Sequence, residues 1–119
     1  MLVHGCRTVA ELGYGEAIVQ SLPENEFIGK LVREKLLYYP TVTREPFRNQ
    51  GRITPLLASG QMAERLGLPP LDRERDRLML CGSPALLADV TTLLQSRGFE
   101  EGSHSQPGHY VIEKAFVEK

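Results

Sequence analysis

The 119-residue chain has little of several features that mark particular protein classes. It has no tryptophan and only two cysteines, Cys6 and Cys81, too few for the disulfide framework of a small secreted domain. No apolar run approaches the ~20 residues that a membrane-spanning helix needs. The first residues, MLVHGCR, look like a short strand and a turn and not like a secretory signal. We therefore expect a reduced, cytoplasmic protein with no membrane segment.

The chain also lacks a surplus of positive charge, because 14 Lys and Arg residues face 15 Asp and Glu residues for a net charge of −1. A general nucleic-acid binder depends on many phosphate contacts, so this balance argues against a nucleic-acid partner. Any anion site must be local. The apolar fraction of 41% is that of a globular protein, and the length suffices for a single core, so we expect one domain over residues 1–119.

Several catalytic and cofactor motifs are missing as well. The chain has no G-x-S-x-G nucleophile elbow. Gly13-Tyr14-Gly15 falls within a predicted helix and lacks the last glycine of a dinucleotide fingerprint. His4-x-Cys6 together with Cys81 has no C-x-x-C pair or carboxylate partner, so it is a weak zinc signal. The residues by themselves encode no complete catalytic constellation, and we predict no metal site.

Short strand patterns alternate with helical ones along the chain. Strands are predicted over residues 1–4, 35–43, 77–80 and 109–116, and helices over 9–22, 54–59, 61–67 and 84–97. Thr8 and Glu11 have the spacing of a capping box at the start of the first helix. Thr54-Pro55 and Ser83-Pro84 each have the pattern of an N-cap residue followed by proline at the first helical position. Pro40 within the second strand predicts an edge position or a bulge. This order predicts an α/β fold, an open and mostly parallel sheet with helices on both faces.

In such sheets ligands bind beyond the carboxyl ends of the strands. The strand ends here carry Gly5-Cys6-Arg7, Thr43-Arg44 and Cys81-Gly82-Ser83. In VTREPFRNQGRIT, Thr43, Arg44 and Arg52 offer one hydroxyl and two guanidiniums that could converge on a phosphate monoester. The alternative is that these arginines are solvated or pair with Glu45, and the residues alone leave both open.

The Cys81-Gly82 turn has three interpretations. A thiol after a strand and before a helix lies in a field that favours the thiolate, so Cys81 could be a nucleophile, although no histidine is near in sequence. It could instead line a pocket, with Gly82 allowing a ligand to approach the backbone. The third interpretation, a buried structural cysteine, is the one that spacing alone favours. The alternating charges of DRERDR at 72–77 are typical of a solvated loop.

Taken in order, LVHGCRTVAELGYGE, YYPTVTREPFRNQGRIT, LMLCGSPALL and AFVEK resemble the NADP-binding half of bacterial ferredoxin (or flavodoxin)–NADP reductases. These are flavoenzymes of the plant-type reductase superfamily, and the resemblance runs from residue 2 to residue 119. It implies a Rossmann-like NADP-binding domain. It also implies hydride transfer between NADPH and FAD, with electrons passing on to ferredoxin or flavodoxin.

The resemblance also assigns roles to individual residues. The 2′-phosphate and adenosine end of NADP would be bound by Arg7, Thr43, Arg44 and Arg52. Cys81 would position the nicotinamide as a non-nucleophilic residue, with Gly82 beside it. In the terminal segment, Ala115 would face the flavin and Phe116 would lie near the adenine side. Arg48 receives no role and is expected on the surface.

The chain departs from the family pattern in what it lacks. It shows neither the FAD-binding barrel with R-x-Y-[ST], nor a first strand with the G-T-G-x-A-P loop that holds the pyrophosphate. We expect an amino-terminally truncated domain that does not hold FAD and is not catalytically competent alone. An absent central strand predicts marginal stability or self-association through an exposed sheet edge. The alternative is a free-standing, non-catalytic domain that binds a nucleotide or a partner protein.

Overall fold

The computed structural model describes residues 1–103 and 105–113, with the backbone alone for Tyr14. The chain divides into two compact units, residues 1–66 and 67–119, and each has its own parallel strand pair. Within the described part, no helix is long and apolar enough to cross a membrane.

The first unit is built on two parallel strands. Its elements in chain order are β1 (Leu2–Cys6), α1 (Val9–Ser21), a 3-10 turn (Leu22–Glu24), α2 (Gly29–Lys35), β2 (Tyr38–Val42), α3 (Ile53–Ala58) and α4 (Gln61–Arg65). In the ladder, Leu2 lies opposite Tyr38 and Cys6 opposite Val42. Parallel neighbours need a crossover connection, which α1 and α2 supply here.

The core of the first unit surrounds β2. Tyr39, Leu56 and Met62 are buried together, and Val3, Ile53 and Leu66 pack against them. Four of the five β2 residues are buried, as expected for a parallel strand covered on both faces. The short helices α3 and α4 are therefore held by packing against β2, since neither is long enough to be stable alone.

The second unit has the same plan on a smaller scale. Its elements are β3 (Leu78–Leu80), α5 (Pro84–Ser96) and β4 (Tyr110–Ile112). The strands are parallel, with Leu78 opposite Tyr110. Among its described residues, the buried hydrophobic side chains are Leu87, Val90, Leu94, Phe99 and Tyr110. Ser83 caps α5 by accepting a hydrogen bond from the Leu86 amide at 3.2 Å, as predicted.

Some local predictions were wrong. Helix α2 was missed because its start has no capping Ser, Thr or Asp adjacent to it; the Asn25 side chain instead accepts from the amides of Phe27 and Ile28. Thr8 is the N-cap of α1, but its hydroxyl donates to Glu11 and accepts no backbone amide, so the capping box does not form. Helix α3 begins at Ile53, one residue before the predicted range, and its N-cap is Arg52 instead of Thr54.

The four strands occur where they were expected, although with shifted ends. They form two separate parallel pairs among the described residues, where a single sheet was predicted. Pro40 lies in β2, and among the described residues the outer side of β2 is bridged only at Val42, by Gln50. This agrees with the edge position that its missing N–H predicts. The end of the last predicted strand, from residue 114 on, lies outside the described residues.

Candidate anion-binding site

The carboxyl ends of β1 and β2 lie side by side, and their pairing continues into the segments that follow them. The Thr43 amide donates to the Cys6 carbonyl at 3.1 Å, and the Arg44 amide donates to the Arg7 carbonyl at 2.9 Å. Two residues far apart in sequence, Arg7 and Arg44, are therefore neighbours just beyond the strand ends.

The loop of residues 43–51 then folds back onto β2. The Val42 amide donates to the Asn49 carbonyl at 3.1 Å, and the Gly51 amide donates to the Val42 carbonyl at 3.0 Å. Gly51 has a φ of 137°, a conformation that residues with a Cβ rarely adopt. As a result the chain reaches Arg52 beside the end of β2. The backbones of Arg7, Thr43, Arg44 and Arg52 are thus gathered at one edge of the first unit.

The side chains of these four residues differ in their surroundings. Arg7 and Arg52 have interactions with other residues. The side chains of Thr43 and Arg44 have no hydrogen bond or ion pair with any residue that the structure describes. Arg7 lies 3.6 Å from Glu11, but with 65% and 42% of the two side chains exposed this ion pair is weak. The Glu45 carboxylate accepts from the Val9 amide at the start of α1. It occupies the positive end of that helix, where a carboxylate is favoured.

Arg48 has different contacts. Its Nη2 lies 2.8 Å from Glu16 Oε1, and its guanidinium carbon lies 4.5 Å from the centre of the Phe47 ring. With 59% of its side chain exposed, Arg48 is a surface residue with its charge already partnered. This agrees with its exclusion from the predicted anion site.

Next to this edge, three titratable side chains of β1 and β2 form a row. His4 Nδ1 lies 2.9 Å from the Tyr38 hydroxyl, and His4 Nε2 lies 3.4 Å from Cys6 Sγ. A Cβ at Gly15 in α1 would lie only 2.7 Å from His4 Cε1, so this glycine makes room for the imidazole. Sequence reasoning missed this row because only the strand register, in which Val3 pairs with Tyr39, brings His4 and Tyr38 together.

Burial and charge raise two pKa values in this row. Burial raises the pKa of the Cys6 thiol, nearby Glu11 raises it further, and Arg7 opposes the change. Burial likewise raises the pKa of the Tyr38 phenol, helped by Glu16 and Cys6 and opposed by Arg48. Both groups therefore stay protonated and neutral at pH 7. Among the described residues, no group of three or more His, Cys, Asp or Glu side chains is arranged to hold a metal.

The remaining predicted site residues either belong to the second unit or lie outside the residues that the structure describes. Cys81 follows β3 and is exposed, so the interpretation as a buried structural cysteine was wrong. The reason is that the β3 ladder ends at Leu80, which leaves the next side chain outside the packed layer. A Cβ at Gly82 would lie 2.6 Å from Leu86 Cδ2, so the turn approaches α5 closely. Ala115 and Phe116 lie outside the described residues, and their roles stay predictions.

Comparison with known proteins gives a consistent answer. No protein-family model matches the chain. The ferredoxin–NADP reductase of Pseudomonas aeruginosa is 52% identical over 120 residues, which cover 100% of this chain and 46% of that protein. The flavodoxin/ferredoxin–NADP reductase of Rhodobacter capsulatus is 53% identical over 117 residues, covering 98% of this chain and 43% of that protein. The chain is related to one part of the ferredoxin/flavodoxin–NADP reductases.

A solved reductase shares the fold. The crystal structure of a ferredoxin NADP+ reductase from Neisseria gonorrhoeae with bound FAD and NADP matches with a TM-score of 0.76 at 23% identity. The match covers 94% of this chain and 42% of that one. The predicted α/β fold and the predicted family resemblance are both confirmed. The chain spans less than half the length of the curated reductases that it matches.

Proposed function

We propose that residues 1–119 are the NADP(H)-binding portion of a ferredoxin/flavodoxin–NADP(+) reductase. In the whole enzyme, hydride would pass between NADPH and FAD, and electrons would pass on to ferredoxin or flavodoxin. The proposal is supported by the names of the two reductases that are 52% and 53% identical to this chain over nearly its whole length. The observation that carries it is the backbone hydrogen bond between Arg7 and Arg44 beyond the strand ends, together with the return of the chain to Arg52 at the same edge.

The proposed role of this edge is to recognise the 2′-phosphate of NADP. A guanidinium matches a phosphate with two parallel N–H donors, and the Thr43 hydroxyl can add a further hydrogen bond. A hydrogen bond to a charged group contributes about 1.5 to 3 kcal/mol. Two such bonds are enough to favour NADP over NAD by well over tenfold, since about 1.4 kcal/mol corresponds to a factor of ten.

For the remaining predicted site residues, we propose that Cys81 and Gly82 position the nicotinamide, that Ala115 faces the flavin and that Phe116 lies near the adenine side. The exposed thiol at the end of β3 supports the first of these roles. FAD would supply the hydride acceptor and the one-electron chemistry when bound in the whole enzyme, and we propose that residues 1–119 do not hold it alone. The two free thiols are in keeping with a cytoplasmic location.

The first test is equilibrium binding of NADP and of NAD to the chain. We expect a preference for NADP, and we expect Arg44→Ala and Arg52→Ala each to weaken NADP binding about tenfold to a hundredfold while leaving NAD binding unchanged. Arg48→Ala is the matched control and should change neither affinity, because its charge is paired with Glu16. Equal affinity of the unaltered chain for the two nucleotides, or no binding of either, would overturn the proposal.

A further inference from the structure

The loop of residues 43–51 is tied to β2 by a buried hydroxyl. The Thr41 side chain is fully buried, although it is polar. Its Oγ1 lies 3.1 Å from the Asn49 carbonyl and 2.7 Å from the Gly51 carbonyl, and it donates to this pair of acceptors. Both acceptors belong to the carboxyl end of the loop, immediately before Arg52. The hydroxyl therefore acts on the loop and not on another part of the core.

The side chain of Asn49 strengthens the same attachment. Its Nδ2 donates to the Pro40 carbonyl of β2 at 2.9 Å. Its backbone carbonyl accepts from the Val42 amide as well as from Thr41. Asn49 thus has three hydrogen bonds to one strand, which leaves the loop end little freedom to move along or away from β2.

Arg65 holds the loop from another side. It projects from α4, whose Met62 is buried in the core next to Tyr39. Its Nη1 donates to the Arg48 carbonyl at 2.9 Å and lies 3.3 Å from Asn49 Oδ1. Arg65 itself is exposed, so its hydrogen bonds contribute little to the core. Their effect falls on the loop, which is held between β2 and α4.

We propose that Thr41, Asn49 and Arg65 are positioning residues that set the preference of the anion site for a 2′-phosphate. This rests on the proposed function of Arg44 and Arg52. These two arginines stand at opposite ends of the loop, so the distance between them depends on how the loop is closed. Holding the loop in advance removes the entropy cost of ordering it when the phosphate binds. A ligand without the 2′-phosphate gains nothing from this ordering.

The test compares the binding of 2′,5′-ADP, which carries the 2′-phosphate, with that of 5′-AMP, which lacks it. The variants are Thr41→Val, which keeps the shape and removes the hydroxyl, and Arg65→Gln, which removes the guanidinium. We expect each to weaken 2′,5′-ADP binding by about tenfold or more, or about 1.4 kcal/mol, with little change for 5′-AMP. Thr41→Ser retains the hydroxyl and should restore the preference.

Two matched controls come from the second unit. Thr91 Oγ1 also lies near two carbonyls, 2.7 Å from that of Leu87 and 3.1 Å from that of Ala88. Arg77 Nη1, like that of Arg65, donates to a backbone carbonyl, that of Arg73 at 2.7 Å. Thr91→Val and Arg77→Gln should leave both nucleotide affinities unchanged. Amide hydrogen exchange at Gly51 should be faster in Thr41→Val and Arg65→Gln and unchanged in the controls.

The outcomes separate this inference from the proposed function. If the unaltered chain prefers 2′,5′-ADP and the two variants keep that preference, the positioning role is wrong and the proposed function stands. An equal loss for both nucleotides also overturns the positioning role, since it indicates general damage. If the unaltered chain does not distinguish the two nucleotides, both proposals fail. Should Thr41→Val fold poorly, Arg65→Gln decides, because it alters no buried side chain.

Discussion

At the scale of single residues, Arg44 and Arg48 show why equal spacing does not mean equal role. Arg44, Arg48 and Arg52 are spaced as on one helical face, yet Pro46 and Gly51 make the segment a loop. Arg48 is paired with Glu16 and stacked on Phe47. Arg44 follows the end of β2 instead, and its backbone amide donates to the Arg7 carbonyl. Two arginines four residues apart therefore differ in role: Arg48 is a paired surface residue, and Arg44 belongs to the proposed anion site.

The row formed by His4, Cys6 and Tyr38 predicts a dependence of stability on alkaline pH. The pKa values of the Cys6 thiol and the Tyr38 phenol lie above their ordinary values in the folded chain. The unfolded chain therefore releases these protons first as the pH rises, and the free energy of unfolding falls from about pH 9 upward. Below that pH both states keep the protons, so the contribution is complete at pH 7.

Tyr38→Phe tests this prediction. At about pH 7 the variant should be less stable by about 1 kcal/mol, because it loses the hydrogen bond to His4. At about pH 10.5 the difference should shrink, because the variant has no phenol to ionise. The measurement is chemical denaturation at both pH values. A difference that is the same at both would contradict the assigned shift of the Tyr38 pKa.

At the scale of elements, the two longest helices begin in different ways. Ser83 accepts a hydrogen bond from the Leu86 amide at the start of α5. Thr8, the N-cap of α1, makes no such bond; the Val9 amide is bound by the Glu45 carboxylate instead. The start of α1 is thus stabilised by a residue of the loop that carries Arg44, which couples this helix to the proposed anion site.

This difference predicts unequal effects of cap removal. Ser83→Ala should lower the free energy of unfolding of the second unit by about 1 kcal/mol, since a free amide loses its acceptor. Thr8→Ala, the matched variant, should lower that of the first unit by much less. Urea denaturation followed by amide signals from each unit measures both changes. A loss for Thr8→Ala as large as that for Ser83→Ala would show that the two caps are equivalent.

At the scale of the whole molecule, both units leave strand edges open. The outer side of β2 is bridged by Gln50 and that of β4 by Glu101, whereas β1 and β3 have no second partner among the described strands. On the second pair, Met79 and Val111 are opposite each other in register and are 77% and 38% exposed. Open edges next to exposed apolar side chains favour pairing with another chain.

We therefore propose that the chain self-associates through an exposed sheet edge, with β3 as the candidate. Sedimentation should give an average mass above that of one chain, rising with protein concentration. Met79→Lys should shift the chain toward the monomer, because a charge next to the edge opposes pairing. Leu31→Lys, at an exposed position of α2, is the control and should not. A concentration-independent monomer for the unaltered chain would rule the association out.

The sequence by itself determined the local features and the family. The four strands, the helices other than α2, the Ser83 cap and the order of the motifs depend on residues close together in the chain, and the sequence predicted them. The tertiary structure alone decided which distant residues meet: Arg7 with Arg44, His4 with Tyr38, and Thr41 with Asn49 and Gly51. The physical reason is that strand register and loop closure depend on hydrogen bonds between residues far apart in sequence. Neither composition nor spacing records those bonds.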